Sequence, residues 1–402
     1  MKNILVINCG SSTIKFQLID VENNDAVIAK GRCDMVGYKD SNIIYNNVRD
    51  GYKNNEPAPM PTHKEGMEVL LNTLMDKEHG VIESIDEIYA IGHRVVHGGE
   101  KFSSSVLVDD EVINTIEELI PLAPLHNPGC LMGIKAMMEI APDKKNVAVF
   151  DTAFHQTMPV YNYLYAIDYK FYTNNKIRRY GFHGTSYQFI LGRLEELLGK
   201  KKEDINAIVC HIGGGASMCA IKNGKSYDTS MGFTPLEGLV METRCGDIDP
   251  SIVTKLMKDE NMTIEEIEAE LNKKSGRLGL AGIGDQRQLI EASESGNEQA
   301  TLTRKIQAQR IKKYIGSYIA ELNRVDAIVF TGGIGENNAC EREAYVADME
   351  CLGIELDREI NDVSSCKEAR ISKESSKIGV YVIPTNEELE IARQTVDIVS
   401  KC

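Results

Sequence analysis

The chain has 402 residues, 42% of them hydrophobic and 26% charged, with a formal net charge of −15. That length exceeds one ordinary hydrophobic core and predicts two domains, and the balance is that of a folded globular protein. The acidic excess excludes a nucleic-acid groove, which needs a basic face, but not phosphate ligands, since a few arginines can set a local field. No run approaches the ~18 apolar residues of a membrane span. The apolar start turns polar at Asn8, which leaves no signal-peptide core, so a cytoplasmic protein without a membrane partner is expected. The ten cysteines include no C-x-x-C, and Cys210 and Cys219 lie in apolar runs. That is the pattern of buried reduced thiols, not of disulfides or a structural zinc.

Lys2 to Ile7 reads as an apolar strand ending at Asn8-Cys9-Gly10-Ser11-Ser12, with a second, alternating strand over Ile14 to Ile19. Helical spacing follows at Lys64 to Met75 and Glu111 to Ile120. Ile88 to Ile91 is a short strand leading into His93-Arg94-Val95-Val96-His97-Gly98-Gly99, and PLAPLHNP is a proline-bounded loop holding His126. Val147 to Phe150 is a buried strand ending on Asp151, at the sheet edge where open α/β folds bind ligands. The stretch IRRYGFHGTS places His183 between glycines and capping residues, ahead of a helix over Tyr187 to Leu198.

Ala207 to Cys210 and Ala216 to Ile221 are strands flanking His211 and the triple glycine Gly213, Gly214 and Gly215. This repeats the grammar of the N-terminus and predicts an internal duplication. Arg244 follows, then the acidic Asp247 and Asp249. Helices are expected at Thr263 to Asn272 and Glu298 to Leu322. Asp326 to Asn337 runs a strand into a third glycine turn, and strand Gly379 to Ile383 and helix Asn386 to Val399 close the chain. Three glycine-rich turns, two lone arginines (Arg94, Arg244) and two strand-edge carboxylates (Asp151, Glu387) point to phosphoryl transfer. Backbone N–H groups cradle phosphate, arginines neutralise the moving phosphoryl group, and carboxylates hold a hydrated Mg²⁺. No Walker A loop occurs. Taken singly, His126 and His183 are more often structural than catalytic.

Nine motifs in order, VINCGSSTIKF, GHRVVHGGEKF, LAPLHNP, VFDTAFHQTMP, YGFHGTS, DTSMGFTPLEGL, TRCGDIDP, FTGGIGEN and IPTNEELEIAR, make the chain resemble the acetate kinase family from about residue 2 to 399. The resemblance implies an α/β, two-domain actin-like fold, a duplicated ribonuclease H-like unit with an interdomain cleft. Residues 1–150 would form the acyl-substrate side, with the final helix 386–402 packing back onto it, and 151–385 the nucleotide-binding domain. It implies reversible transfer of the γ-phosphoryl group of ATP to acetate, giving acetyl phosphate and ADP, with Mg²⁺ (or Mn²⁺ in its place), in a homodimer.

By the same resemblance, Asn8 and Glu387 serve the metal, with Ser12 near the phosphates. Arg94 and Arg244 bind the carboxylate and the transferring group, His183 hydrogen-bonds that group with His126 nearby, and Asp151 orients an arginine. Val96, Leu125, Phe182 and Pro235 match the pocket for the acetate methyl. Lys15, His211, Gly213, Gly214, Gly215, Asp285, Gln286, Arg287, Gly333, Ile334, Gly335 and Asn337 match the nucleotide side. The acceptor carboxylate is already ionised at neutral pH, so no general base is needed, and the obstacle is bringing one anion to another.

Four positions depart from the family pattern. Gly214 replaces an asparagine, Glu242 replaces a glycine two residues before Arg244, the loop Ala281 to Asp285 is one residue short and lacks two serines, and Tyr187 stands where histidine is common. Tyr187 is read as neutral. The other three read either as drift in loops or as an altered phosphoryl donor: another nucleotide, pyrophosphate, or weakened ATP affinity. A kinase for propionate or butyrate is the nearest rival, although Val96 favours acetate. A nucleotide-binding regulator that has lost catalysis is the rival from another class.

Overall fold

The computed structural model describes residues 2–401, and the chain divides into two compact units. The first takes in the chain up to Gln156 and the residues from Asn386 on, and the second runs from Thr157 to Thr385.

The first unit holds β1 (Asn3–Cys9), β2 (Thr13–Asp20), β3 (Ala26–Asp34), β4 (Asn42–Asn47), β5 (Lys53–Pro57), β6 (Ile88–Val95), β7 (Val106–Leu107) and β8 (Asn146–Phe150), in sheet order β5-β4-β3-β2-β1-β6-β8-β7. The parallel strands β1, β6 and β8 are apolar almost throughout because both their faces are covered. Strand β4 alternates between buried and half-buried residues, as a strand with one open face does. One face packs Leu5, Ile7 and Phe16 against helices His63–Leu74 and Asn127–Ile140, through Met67, Leu70, Leu71 and Met137. The final helix, Glu387–Val399, lies against β6 at Gly92, where an added Cβ would come within 2.7 Å of Ile391. Only a glycine lets the two backbones approach so closely.

Asp151 belongs to this unit, whose first segment runs to Gln156. The reason is hydrogen bonding past β8: Asp151 N–H donates to Val95 O at 3.0 Å and Gly98 N–H to Thr152 Oγ1 at 2.9 Å. The hairpins β3 to β5 were not among the predicted elements. The edge strand β5, KNNEP, has no apolar periodicity to read.

The second unit holds β9 (Ala207–Ile212), β10 (Ala216–Lys222), β11 (Lys225–Thr229), β12 (Ala327–Thr331), β13 (Ala369–Arg370) and β14 (Gly379–Val382), in order β11-β10-β9-β12-β14-β13. Its long helix, Glu298–Leu322, buries Gln307, Ile311, Ile315, Tyr318 and Leu322, the stripe its helical spacing predicts.

The duplication is visible in the ladders. In the first unit β1 pairs antiparallel with β2, and β2 with β3, while β1 pairs parallel with β6 and β6 with β8. In the second, β9, β10 and β11 repeat the antiparallel half and β12 and β14 the parallel half. Among the described residues no helix is long and apolar enough to cross a membrane.

Candidate active site

In the first unit Arg94 and Asp151 come together because β6 and β8 are parallel neighbours, which puts both at the same strand edge. Arg94 Nη2 lies 2.5 Å from Asp151 Oδ2 and Nε 3.2 Å from Oδ1, a two-pronged pair on a carboxylate that is 1% exposed. Burial alone would lower the Arg94 pKa, but the carboxylates of Asp151 and Glu387 outweigh it and hold the guanidinium charged. Asn8 Oδ1 accepts a long bond from Arg94 Nη1 at 3.5 Å, and Lys15 stands opposite Asn8 in the β1–β2 register. Glu387 opens the final helix. A cavity of about 560 Å³ is lined in part by Asn8, Lys15, Arg94 and Glu387.

These residues suit a divalent cation. Glu387 Oε1 is buried and has no hydrogen-bond partner among the described residues, and burial with the charges of Asp151 and Glu388 pushes its pKa up to about 7, against Arg94 and Lys15. A cation there would relieve both the orphaned oxygen and the carboxylate repulsion. Among the described residues no cluster of three or more His, Cys, Asp or Glu could hold a metal. The protein would therefore supply one or two ligands and water the rest, as Mg²⁺ accepts. Val96 is buried, whereas Leu125 is 68% exposed and His126, at the start of helix Asn127–Ile140, is also exposed.

In the second unit His183 precedes helix Gly184–Leu198 with φ 58°, a left-handed conformation uncommon outside glycine. Its Nδ1 lies 2.7 Å from Ser217 Oγ, which also bonds the Tyr187 hydroxyl. Tyr187, read as neutral from the sequence, thus reaches His183 through Ser217. The His183 ring stacks on His211 at 4.2 Å, and His211 Nδ1 lies 2.9 Å from Ser186 Oγ. A Cβ at Gly215 would come within 2.9 Å of Arg244 Nη2 and 3.9 Å of His183 Cε1. The glycine turn, Arg244 and His183 therefore converge. Arg244 donates to Pro235 O at 2.8 Å, and burial lowers its pKa while the Glu242 charge opposes. Phe182 is buried beside His183.

Further along this unit, Asp285 caps helix Gln286–Glu294 by accepting from the N–H groups of Arg287 and Gln288, and Arg287 pairs with Asp285 at 3.5 Å. Gln286 is buried, and neither amide atom has a hydrogen-bond partner among the described residues. Gly333, Ile334, Gly335 and Asn337 lie in the short helix after β12. A cavity of about 490 Å³ is lined by Gly214, Asp285, Gln286, Arg287, Gly333 and Asn337 among others. Of the expected nucleotide residues only Lys15 belongs to the first unit.

Sequence reasoning missed Ser217, whose signal was a fully buried serine in the apolar strand β10. It also missed Arg179, which donates to Thr229 O at 2.7 Å and pairs with Glu237 at 2.6 Å, fixing the loop that carries Pro235 and Arg244.

The model of the Acetokinase family matches residues 3–393. Among curated proteins, acetate kinase from Dictyoglomus turgidum is 52% identical over 99% of this chain and 98% of its own. Acetate kinase 2 from Clostridium perfringens is 50% identical over 99% and 100%. The crystal structure of Porphyromonas gingivalis acetate kinase superposes with a TM-score of 0.96 at 46% identity, covering 99% of this chain and 100% of that one. A propionate kinase from Francisella tularensis gives 0.92 at 40% identity, with the same coverage. With its duplicated α/β fold, the chain belongs to the acetokinase family and is a carboxyl-acceptor phosphotransferase, an acetate kinase.

Proposed function

We propose that Arg94, His183 and Arg244 carry the transfer directly, without a phosphoenzyme. A carboxylate oxygen of acetate attacks the γ-phosphorus of ATP in line as the bond to the β–γ bridging oxygen breaks, giving acetyl phosphate and ADP with no proton moved. In reverse the same groups return the phosphoryl group to ADP. Arg94 is aimed by Asp151 and neutralises acceptor and phosphoryl charge. Arg244 and the His183 imidazole, the latter set by Ser217 and Tyr187, meet the phosphoryl oxygens. Asn8 and Glu387 would hold Mg²⁺, or Mn²⁺ in its place, which when bound neutralises phosphate charge. His126 assists on the acceptor side, and Val96, Leu125, Phe182 and Pro235 form the apolar seat for the methyl group. Lys15, His211, the glycines 213–215, Asp285 to Arg287 and Gly333 to Asn337 hold the adenine nucleotide.

The observation that carries this reading is the convergence of Gly215, Arg244 and His183 at one turn. Trapping acyl phosphate with hydroxylamine tests it, across acetate, propionate and butyrate and across ATP, GTP and pyrophosphate. Acetyl hydroxamate from ATP is expected, and its absence for every pair would refute the roles. The propionate kinase match supports one second reading, a longer acyl chain. It requires propionate to exceed acetate in kcat/KM.

The proposal extends to a cytoplasmic homodimer. The segment after Pro159 exposes Tyr161, Ile167, Tyr169 and Phe171, the aromatic composition of a protein interface. Sedimentation should show a dimer that Tyr169→Glu weakens, and a monomeric wild type would remove this part.

A further inference from the structure

Gly214, Glu242 and the short loop ending at Asp285 are far apart along the chain but meet at one point. Glu242 N–H donates to Gly214 O at 2.9 Å, and its carbonyl accepts from Leu278 N–H at 2.9 Å. Its side chain is held in the space that two missing side chains leave. A Cβ at Gly214 would lie 2.7 Å from Glu242 Oε2, and one at Gly284 would lie 3.3 Å from Oε1. The two glycines make room for the carboxylate, so the three departures form one rebuilt wall of the 490 Å³ cavity.

The carboxylate is exposed, and among the described residues it takes no hydrogen bond or ion pair. Arg244 and Arg277 feel its charge, but neither forms an ion pair with it. The other carboxylate of the cavity, Asp285, is already used by the first turn of its helix and by Arg287. Glu242 is therefore the acceptor left open to a ligand. Its place is also informative. It stands between the glycine turn beside Arg244, where phosphate would sit, and the wall formed by Gly284 and Asp285. In a nucleotide the group between phosphate and base is the ribose, whose vicinal hydroxyls are two O–H donors. A carboxylate with two open oxygens is their complement, as in dinucleotide sites.

We infer that Glu242 is a specificity residue of the donor subsite, accepting hydrogen bonds from the ribose hydroxyls of the nucleotide. The inference rests on the proposed nucleotide reading of this cavity and sharpens the donor question. Glu242 selects ribonucleotides over deoxynucleotides and over pyrophosphate, which has no hydroxyls to offset its repulsion.

Calorimetric binding of ADP, 2′-deoxy-ADP and 3′-deoxy-ADP to the full chain tests this without turnover. The wild type is expected to bind ADP about tenfold more tightly than either deoxy analogue, the scale of a charge-assisted hydrogen bond. Glu242→Gly should bring the three within about twofold of one another. Glu242→Gln, which keeps one acceptor and the side-chain volume, should fall between. A wild type with no preference overturns the inference, as does a preference that survives in Glu242→Gly. So does a uniform gain of affinity for all three ligands and pyrophosphate, since that is the signature of plain repulsion. A wild type that shows the tenfold preference but yields no acetyl hydroxamate from ATP would keep the ribose subsite and sink the proposed reaction.

Discussion

The two units share one strand topology, yet each secures its arginine differently. In the first, Arg94 is clamped by two hydrogen bonds to the buried carboxylate of Asp151. In the second, Arg244 donates to the carbonyl of Pro235, forms no ion pair among the described residues, and has glycine backbone against its guanidinium. A buried ion pair fixes geometry at the risk of leaving a bare charge when either partner is lost. An arginine held by a neutral carbonyl keeps more of its charge for a ligand. The duplicated frame thus offers one arginine fixed by a buried carboxylate and one held by a neutral carbonyl.

Replacing each arginine tests that contrast, and the largest effect is expected at Arg94. Arg94→Ala should lower kcat at least 10³-fold and destabilise the fold by about 3–5 kcal/mol in denaturant titration, because the buried Asp151 carboxylate loses its guanidinium. Arg244→Ala should cost about 3–4 kcal/mol of transition-state stabilisation with the denaturation midpoint nearly unchanged. Equal loss of stability in both would end the contrast.

Gly215→Ala comes next. Its Cβ would press on the flexible end of Arg244, so the fold should persist while kcat/KM falls about tenfold to a hundredfold, as for a displaced catalytic group.

Glu387→Gln probes the metal side of the first unit through pH. The folded-state pKa of Glu387, about 7, lies above the ordinary glutamate value of 4.5. Between those values the folded protein binds more protons than the unfolded one, so stability falls as pH rises through that window. Mg²⁺ needs the ionised carboxylate, so the apparent affinity for Mg²⁺ should rise as pH climbs past 7. Both slopes should flatten in Glu387→Gln, and a wild type with no such slopes would remove Glu387 from the metal.

The smallest effect is expected at Tyr187→Phe, which removes a hydroxyl from Ser217 and loosens His183. The loss should be about 1 kcal/mol, roughly fivefold in kcat, with the KM for acetate unchanged. Wild-type kcat in this variant would return Tyr187 to its neutral reading.

Local patterning determined much of this protein. Apolar runs specify β1, β8, β9 and β12, helical spacing specifies Glu298–Leu322, and the repeated strand–turn–strand grammar announces the duplication. These elements are legible because burial on both faces leaves a continuous signature, and glycine turns leave another. Motif order carried the family and its arginines. Strands β3 to β5 were not read from the chain, and the edge strand β5, polar and without periodicity, is fixed by its neighbour in the ladder. Nor could the chain alone show that Asp151 stays with the first sheet, or that Tyr187 reaches His183 through Ser217. Only folding brings Gly214, Glu242 and Gly284 together, because a contact between distant segments depends on the backbone path and not on local sequence. Residue by residue those three positions could be read as drift. Brought together, they place one open carboxylate beside the glycine turn.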